Sequence, residues 1–346
     1  MTDTAANPQA DLGDLVRQAA LRPLTAAEAE AAFTEVMEGR ATPVQMAALL
    51  VAIRVRGAVP HEVAGGVRAL RRAMVPVPGD AAGLVDTCGT GGGALTTFNI
   101  STAAALLAAG AGVRVAKHGN RSFTSRCGSA DVLETLGVRL ELSPDEEARV
   151  LAQTGIVFMF APLHHPAMKH VGPIRRELGM PTIMNVLGPI TNPAGARRQV
   201  VGVSDPALLE LIAGALAELG HDRALVVHGE PGMDELSPVG TTQVIEVRGG
   251  ALERRTFDPV AELGWEPFTP DGLAGGDRAE NAEKVEGVLR GTLGGVARAA
   301  VTLNAGAAIY CAERASTLAD GVRVAEEALE AGRGWEKLRE LRAAAG

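Results

Sequence analysis

From about residue 84 the chain repeatedly pairs a short apolar run with a helix-forming stretch, and this alternation admits few architectures. Leu84-Val85, Val113 to Ala116, Ile156 to Phe160, Val200 to Val203 and Ala224 to Val227 are each too short for a helix and are separated by stretches of helical length. Strands buried on both faces read as unbroken apolar runs, so the pattern predicts a mainly parallel central sheet flanked by helices. Ser143-Pro144-Asp145-Glu146 and Asp205-Pro206 are start signals for two of those helices. Upstream there are helices only. Thr25-Ala-Ala-Glu28 is a capping box before an Ala/Glu-rich run ending near Gly39, Thr42-Pro43 opens a helix to about Gly57, and Pro60 opens another to about Met74. The chain therefore reads as an α/β protein with a small all-helical domain over 1–76 and a large α/β domain over 77–346. Pro76-Val-Pro78-Gly79 is the linker between them, the stretch from about Ala279 is again helical, and Met1 to Gln9 read as a frayed tail.

Charge and composition narrow the ligand classes. A formal net charge of −8 gives no diffuse attraction to nucleic acid or an acidic membrane, and 3% aromatic residues make a poor base-stacking platform. An anionic ligand must then be held by locally placed donors. Cys88, Cys127 and Cys311 are scattered and form no CxxC pair, which points to a reducing cytoplasm. The chain does not begin with a basic segment and an apolar run, and no stretch of about 18 residues is apolar enough to span a bilayer. A cytoplasmic enzyme with no membrane or nucleic-acid partner is the expectation.

The local donors gather after the first strand. Asp86-Thr-Cys-Gly89-Thr90-Gly91-Gly92-Gly93 opens a loop that continues through Thr97-Phe-Asn99-Ile100-Ser101-Thr102 into a small-residue helix. Glycines let backbone N–H groups turn toward a diphosphate, and the helix N-terminus adds further donors, whereas a bare strand-to-helix turn would need the glycines alone. After the second strand, Lys117-His118-Gly119-Asn120-Arg121-Ser122 runs on to Thr124-Ser125-Arg126, gathering cations and small polar groups in a loop expected beside the first. Gly128-Ser129 then starts a helix, with Ser129 as its expected cap. A third loop, His228-Gly229-Glu-Pro-Gly232-Met233-Asp234-Glu235, presents adjacent carboxylates able to hold magnesium beside a diphosphate. Arg175-Arg176 offers a fork for an acceptor carboxylate, and Gly188-Pro189 an apolar wall. His164-His165 point apart as neighbours in sequence and do not make a metal pair.

The runs GTGG, TFNISTAAA, VAKHGNRS, GSADVLETLGV, HPAMKHV, LGPITNPA and HG-x-x-G-x-DELS occur in that order across nearly the entire chain. In this it resembles the anthranilate phosphoribosyltransferases of tryptophan biosynthesis, glycosyltransferases with a nucleoside-phosphorylase-like fold. The resemblance implies a homodimer whose helical domain includes an insert near 170–195, with phosphoribosyl pyrophosphate (PRPP) and anthranilate as substrates and Mg2+ as cofactor. It implies PRPP contacts at Gly89, Gly92, Gly93, Thr97, Asn99, Ile100, Ser101, Thr102, Lys117, Gly119, Asn120, Arg121, Ser125 and Ser129. Magnesium would be held by Asp234 and Glu235, with Ser101 serving a second site. Anthranilate would meet Gly89, His118, Asn120, Arg175, Gly188 and Pro189, and His118 is the one candidate for a general base.

Two departures from the family pattern stand out. Gly93 replaces an Asp that usually follows GTGG, so weaker dependence of PRPP binding on magnesium is expected. Pro181 to Met184 replaces a usual Arg-Thr-Ile-Phe run on the acceptor side. The alternatives are a pyrimidine nucleoside phosphorylase-like enzyme and a non-enzymatic nucleic-acid-binding relative of the fold. The Asp234-Glu235 pair and the His118-Gly-Asn-Arg121 loop favour PRPP over the first, and the acidic balance disfavours the second.

Overall fold

A computed structural model describes residues 11–122 and 126–346; the expectations for Met1 to Gln9 and for Ser125 lie outside the described residues. Four helices come first: α1 (Leu12–Leu21), α2 (Ala26–Met37), α3 (Pro43–Arg56) and α4 (Pro60–Ala73). The capping boxes at Thr25 and Thr42 form as the sequence indicates, each hydroxyl accepting the N–H three residues on at 3.2 Å. The chain then runs through β1 (Val85–Gly89), α5 (Ile100–Gly110), β2 (Val115–Gly119), α6 (Ser129–Thr135), α7 (Pro144–Thr154) and β3 (Ile156–Phe160). Three short helices follow, α8 (Ala161–His164), α9 (Met168–Leu178) and α10 (Met184–Leu187), the last running into a 3₁₀ turn at Gly188–Ile190. Next come β4 (Arg198–Gly202), α11 (Leu208–Glu218), β5 (Arg223–Gly229), β6 (Thr242–Arg248), β7 (Ala251–Phe257) and α12 (Pro259–Leu263). The chain closes on α13 (Arg278–Leu289), α14 (Gly295–Cys311), α15 (Leu318–Glu330) and α16 (Arg333–Ala345).

The seven strands form one sheet in the order β3-β2-β1-β4-β5-β6-β7. Pairings from β3 to β5 are parallel, as the apolar runs indicate, and β6 and β7 extend the edge as an antiparallel hairpin that the sequence reading did not anticipate. Its turn is Gly249-Gly250, with φ of 55° and 86°, a two-residue connection between paired Arg248 and Ala251.

Side-chain alternation along the strands feeds two cores. Val200, Leu225, Val227 and Val244 join the core with α5 and α14, while their neighbours Val201, Val226, Ile245 and Val247 face the opposite core. That second core contains the inner faces of α1 to α4 and also Val171, Ile183, Met184, Val186, Leu187 and Ile190. The chain thus returns to the N-terminal helices between β3 and β4. Met184, inside the departure from the family pattern, is buried and serves this packing.

Candidate active site

The chain leaves β1 for β2 and β3 on one side and returns to β4 on the other, so the carboxyl ends of β1 and β4 flank the topological switch point where open α/β sheets bind ligands. Both strands end on glycine, with Gly89 opposite Gly202. The segment after β5 enters the space this leaves. A Cβ on Gly89 would lie 2.5 Å from Asp234 Oδ2, and one on Gly202 would lie 1.5 Å from the Asp234 carbonyl oxygen. Gly91 and Gly92 adopt φ of 68° and 80°, which turns the loop so that the Gly91 N–H donates to Asp234 Oδ2 at 2.8 Å. A distant segment fastens the exit of the loop. Thr97 bridges Ala274, the Phe98 N–H donates to the Leu273 carbonyl at 2.9 Å, and the Gly275 N–H donates to the Thr96 carbonyl at 2.9 Å.

Asn99 occupies the N-cap position of α5 without a side-chain cap bond, and the first turn of that helix faces the acidic pair. Thr97 Oγ1 donates to Glu235 Oε2 at 3.2 Å, and the Ser101 N–H also reaches the Glu235 carboxylate. Burial pushes the Glu235 carboxyl up to about 8, and the neighbouring Asp234 charge pushes the same way. Burial likewise raises Asp234. Among the described residues, no Lys, Arg or His lies within ion-pair distance of either carboxylate. Beneath them Lys117 is buried; its Nζ donates to the Thr87 carbonyl and, at 3.3 Å, to Ser101 Oγ. Burial lowers the Lys117 ammonium while Asp86, Glu235 and Asp234 pull it back up.

Two adjacent, partly desolvated carboxylates short of positive charge are a fitting seat for a hard divalent cation. Among the described residues no group of three or more His, Cys, Asp and Glu could hold a metal. The donor set therefore suits magnesium, which takes few protein carboxylates and completes its shell with water and ligand oxygens, and not zinc.

His118 and Asn120 border the crevice at the end of β2. The His118 N–H donates to Asp86 Oδ1 at 3.2 Å, and its ring lies 5.0 Å from that of His165, centroid to centroid. Burial, then His165 and His164, push His118 well below the ordinary histidine range, and its Nε2 has no partner. Asn120 Oδ1 accepts the Arg121 N–H at 2.7 Å. The space beside Gly188 is open, since a Cβ there would meet nothing within 4 Å. The Pro189 carbonyl accepts from Cys88 Sγ at 3.1 Å and Gln199 Nε2 at 3.1 Å. Arg175, on α9, is half-buried and pairs with no carboxylate among the described residues.

Five residues expected at the phosphate site have surroundings that the sequence did not indicate. Arg121 turns away from the cradle, its guanidinium donating to Asp131 at 3.1 Å and Glu134 at 2.8 Å and lying over the Phe160 ring. Thr102 is buried and its hydroxyl has no hydrogen-bond partner among the described residues; the Ile100 N–H is already spent on the Phe98 carbonyl at 2.6 Å. Ser129 does not cap α6. Gly128 is the N-cap, Asp131 accepts its N–H at 2.9 Å, and Ser129 Oγ donates to the Asn120 carbonyl at 3.3 Å, beside Gly119. Gly93 is a packing requirement as well as a missing carboxylate, because a Cβ there would lie 2.7 Å from the Gly232 carbonyl.

Other residues escaped the sequence reading. Asp86 is fully buried and braces the site from below, accepting Asn192 Nδ2 at 2.8 Å and Gln199 Nε2 at 3.3 Å besides the His118 N–H. Gly202 carried a usable signal, a glycine inside an apolar strand run, which marks a close backbone approach.

Comparison with known proteins agrees with this architecture. Residues 13–74 match the helical bundle domain of a glycosyl transferase family, and residues 81–335 match that family's α/β domain. Anthranilate phosphoribosyltransferase of Rubrobacter xylanophilus is 53% identical over 320 residues, 92% of this chain and 92% of the relative. Anthranilate phosphoribosyltransferase 2 of Streptomyces coelicolor is 51% identical over 311 residues, 90% of this chain and 92% of the relative. The crystal structure of the Thermus thermophilus anthranilate phosphoribosyltransferase superposes with a TM-score of 0.91 at 44% identity, covering 96% of this chain and 99% of that one. The Saccharomyces cerevisiae enzyme in complex with PRPP and Mg superposes with a TM-score of 0.87 at 25% identity, over 96% and 97% of the two chains. The chain belongs to the anthranilate phosphoribosyltransferase family of glycosyl transferases.

Proposed function

We propose that this chain transfers the phosphoribosyl group of PRPP to the amine of anthranilate, giving N-(5-phosphoribosyl)anthranilate and pyrophosphate, the second step of tryptophan biosynthesis from chorismate. The observation that carries this reading is the glycine-lined slot at the switch point, which sets Asp234 and Glu235 against the N-terminus of α5 and above Lys117. The PRPP pyrophosphate lies on the Gly89 to Gly93 loop and the α5 N-terminus, with Thr97, Asn99, Ser101 and Lys117 as donors. Gly119, Asn120 and Ser129 border it from the second loop. Asp234 and Glu235 would hold Mg2+, with Ser101 serving a second ion; when bound, the metal neutralises charge on the departing pyrophosphate.

Direct displacement needs no covalent nucleophile from the protein. The bond from the ribosyl C1 to pyrophosphate breaks as the bond to the anthranilate nitrogen forms, and the protein's work is positioning within about 3–3.5 Å and stabilising charge. Arg175 receives the anthranilate carboxylate, and Gly188 and Pro189 border its ring. His118, uncharged because burial and the neighbouring histidines lower it, is the candidate base at the end of β2. As the new bond forms, the amine nitrogen turns acidic enough to release its proton to this weak base.

The division at residue 76 is supported by the separate matches over 13–74 and 81–335, and counting the 170–195 insert with the helical domain by its packing on the inner faces of α1 to α4, in a core that also takes in one face of the sheet and α11. A homodimer is in keeping with the large apolar residues left exposed on α1 and α3, Leu21, Val44 and Val55, at 85%, 78% and 79%. A cytoplasmic location is supported by the three free cysteines. Among the described residues, no helix is long and apolar enough to cross a membrane.

The test is loss of anthranilate fluorescence on adding PRPP and magnesium to the purified protein, with Arg175→Ala as control. Decay of the signal with matching pyrophosphate release, slowed at subsaturating anthranilate by Arg175→Ala, supports the reading. A silent mixture, with uridine cleaved by inorganic phosphate, would shift the assignment to the phosphorylase alternative.

A further inference from the structure

The strap before α13, more than 170 residues away in sequence, is joined to the cradle by its backbone bonds to Thr96, Thr97 and Phe98 and also by a side-chain amide pair. The Gly276 N–H donates to Asn281 Oδ1 at 2.7 Å, and Asn281 Nδ2 donates to Asn99 Oδ1 at 3.0 Å across a sequence separation of 182. A backbone N–H can only donate, so it fixes which end of the Asn281 amide is oxygen. The other end must be NH2 and needs an acceptor, so Asn99 must turn its oxygen to Asn281. What remains for the cradle is the NH2 of Asn99, which makes one long contact, 3.4 Å, to the Cys127 carbonyl. Asn281 is 2% exposed, whereas Asn99 at the α5 N-terminus is half-buried and open to the loop.

The frame around this pair is rigid. A Cβ on Gly275 would lie 2.4 Å from the Thr97 carbonyl oxygen, so strap and loop are in backbone contact. The same turn of α13 also grips the second loop. Arg278 pairs with Asp131 at 2.9 Å, and Asp131 accepts the N–H groups of Gly128 at 2.9 Å and Ser122 at 3.3 Å.

We propose that Asn281 is a positioning residue for the diphosphate site: through the relay from Gly276 to Asn281 to Asn99 it fixes the Asn99 amide so that NH2, and not oxygen, faces the anionic ligand. This rests on the assignment of the cradle to PRPP. A flipped Asn99 would present a carbonyl oxygen to a diphosphate, replacing a charge-assisted hydrogen bond by a repulsion.

The experiment is calorimetric binding of PRPP with magnesium, anthranilate absent, to wild type, Asn281→Asp and Asn281→Ala from pH 6 to 8.5, with a melting curve for each. In Asn281→Asp the new carboxylate, when ionised, accepts on both oxygens, so Asn99 must donate to it and present its own oxygen to the ligand. Binding at pH 8.5 should weaken roughly 10- to 100-fold. Once protonated, the new carboxyl carries an O–H that donates to Asn99 Oδ1 as the amide did, so binding should recover toward wild type as pH falls. The titratable and charged groups facing this position are the Cys127 thiol, which contacts the Asn281 amide and is raised by burial, Asp277, Arg278 and Glu280 at the start of α13, and Asp131 and Glu134 on α6. Asp131 and Glu134 are held below their usual range and stay ionised throughout, and the pH dependence that Glu235 gives is common to all three proteins, so the affinity ratio of Asn281→Asp to wild type at each pH reports the new carboxyl. Asn281→Ala should lose affinity with no recovery. The inference is overturned if Asn281→Asp binds as wild type does at pH 8.5, or stays weak at every pH while melting normally. If Asn281→Asp does not fold, a double-mutant cycle of Asn281→Ala with Asn99→Ala decides: coupling of roughly fivefold or more supports the relay, and additive losses overturn it. Wild type that does not bind PRPP overturns the cradle assignment itself, and the relay with it.

Discussion

Gly202 and Asp234 meet so closely that a Cβ on the first would lie 1.5 Å from the carbonyl oxygen of the second. The end of β4 therefore sets where the acidic loop sits, and the loop sets where a cation can bind. Gly202→Ala must push Asp234 outward. A displacement of about 1 Å should lower kcat/KM roughly 100-fold, with a stability loss of about 1–3 kcal/mol from overpacking. Steady-state kinetics and thermal melts check this; an alanine variant with normal magnesium-dependent turnover would contradict it.

The raised carboxyl of Glu235 gives magnesium binding a pH dependence. Without metal the carboxyl holds its proton up to about pH 8, and a cation must displace that proton. Magnesium affinity in the presence of PRPP should therefore rise as pH increases from about 6 to 9, with proton release detectable by calorimetry in buffers of different ionisation enthalpy. Glu235→Gln should flatten the dependence and raise the magnesium needed for half-maximal rate roughly tenfold or more. Affinity that does not change with pH would count against Glu235 as a ligand.

A second buried pair predicts how stability varies with pH. His164 Nε2 lies 3.0 Å from Glu147 Oε1, and Nδ1 donates to the Val75 carbonyl at 2.8 Å, which ties α7 to the linker between the domains. Burial lowers His164, but Glu147 and the Val75 carbonyl outweigh it and leave it raised; burial raises Glu147. Both groups then hold protons more tightly folded than unfolded. The histidine contribution is fully present below about 6.5 and is lost as pH rises through its folded value. Melting temperature should fall by roughly 2 °C or more between about pH 6.5 and 8.5. Glu147→Gln, whose NH2 can donate to neutral Nε2, should melt with a flatter profile; an unchanged slope would refute the coupling.

Gly93 separates a packing effect from an electrostatic one. Gly93→Asp adds a carboxylate near the pyrophosphate site but drives its Cβ against the Gly232 carbonyl, at 2.7 Å. The variant should melt earlier and show a steeper dependence of PRPP KM on magnesium than wild type. Coinciding KM curves would show that the missing carboxylate does not tune magnesium use.

Much of the site could be read from the sequence because its parts are local. Asp234-Glu235, the Gly89 to Gly93 loop and the start of α5 each carry their chemistry within a few residues, and the parallel strands announce which loops will lie together. Arg121 misled because its partners lie 10 and 13 residues away, where one turn of α6 brings Asp131 and Glu134 onto the same guanidinium. Asn281 and Gly202 could not be found as site residues by spacing, since each acts through a tertiary approach. The β6–β7 hairpin went unread although Gly249-Gly250 marks its turn; it forms the edge of the sheet beyond β5.

The identity of the bond made decides the assignment as a whole. The wild-type protein, PRPP, magnesium and 15N-anthranilate should yield one product in which NMR detects coupling between the labelled amine and the ribosyl C1 carbon, with one pyrophosphate released per product. PRPP consumed without that N–C bond, or anthranilate recovered unchanged while another acceptor is ribosylated, would contradict transfer to anthranilate.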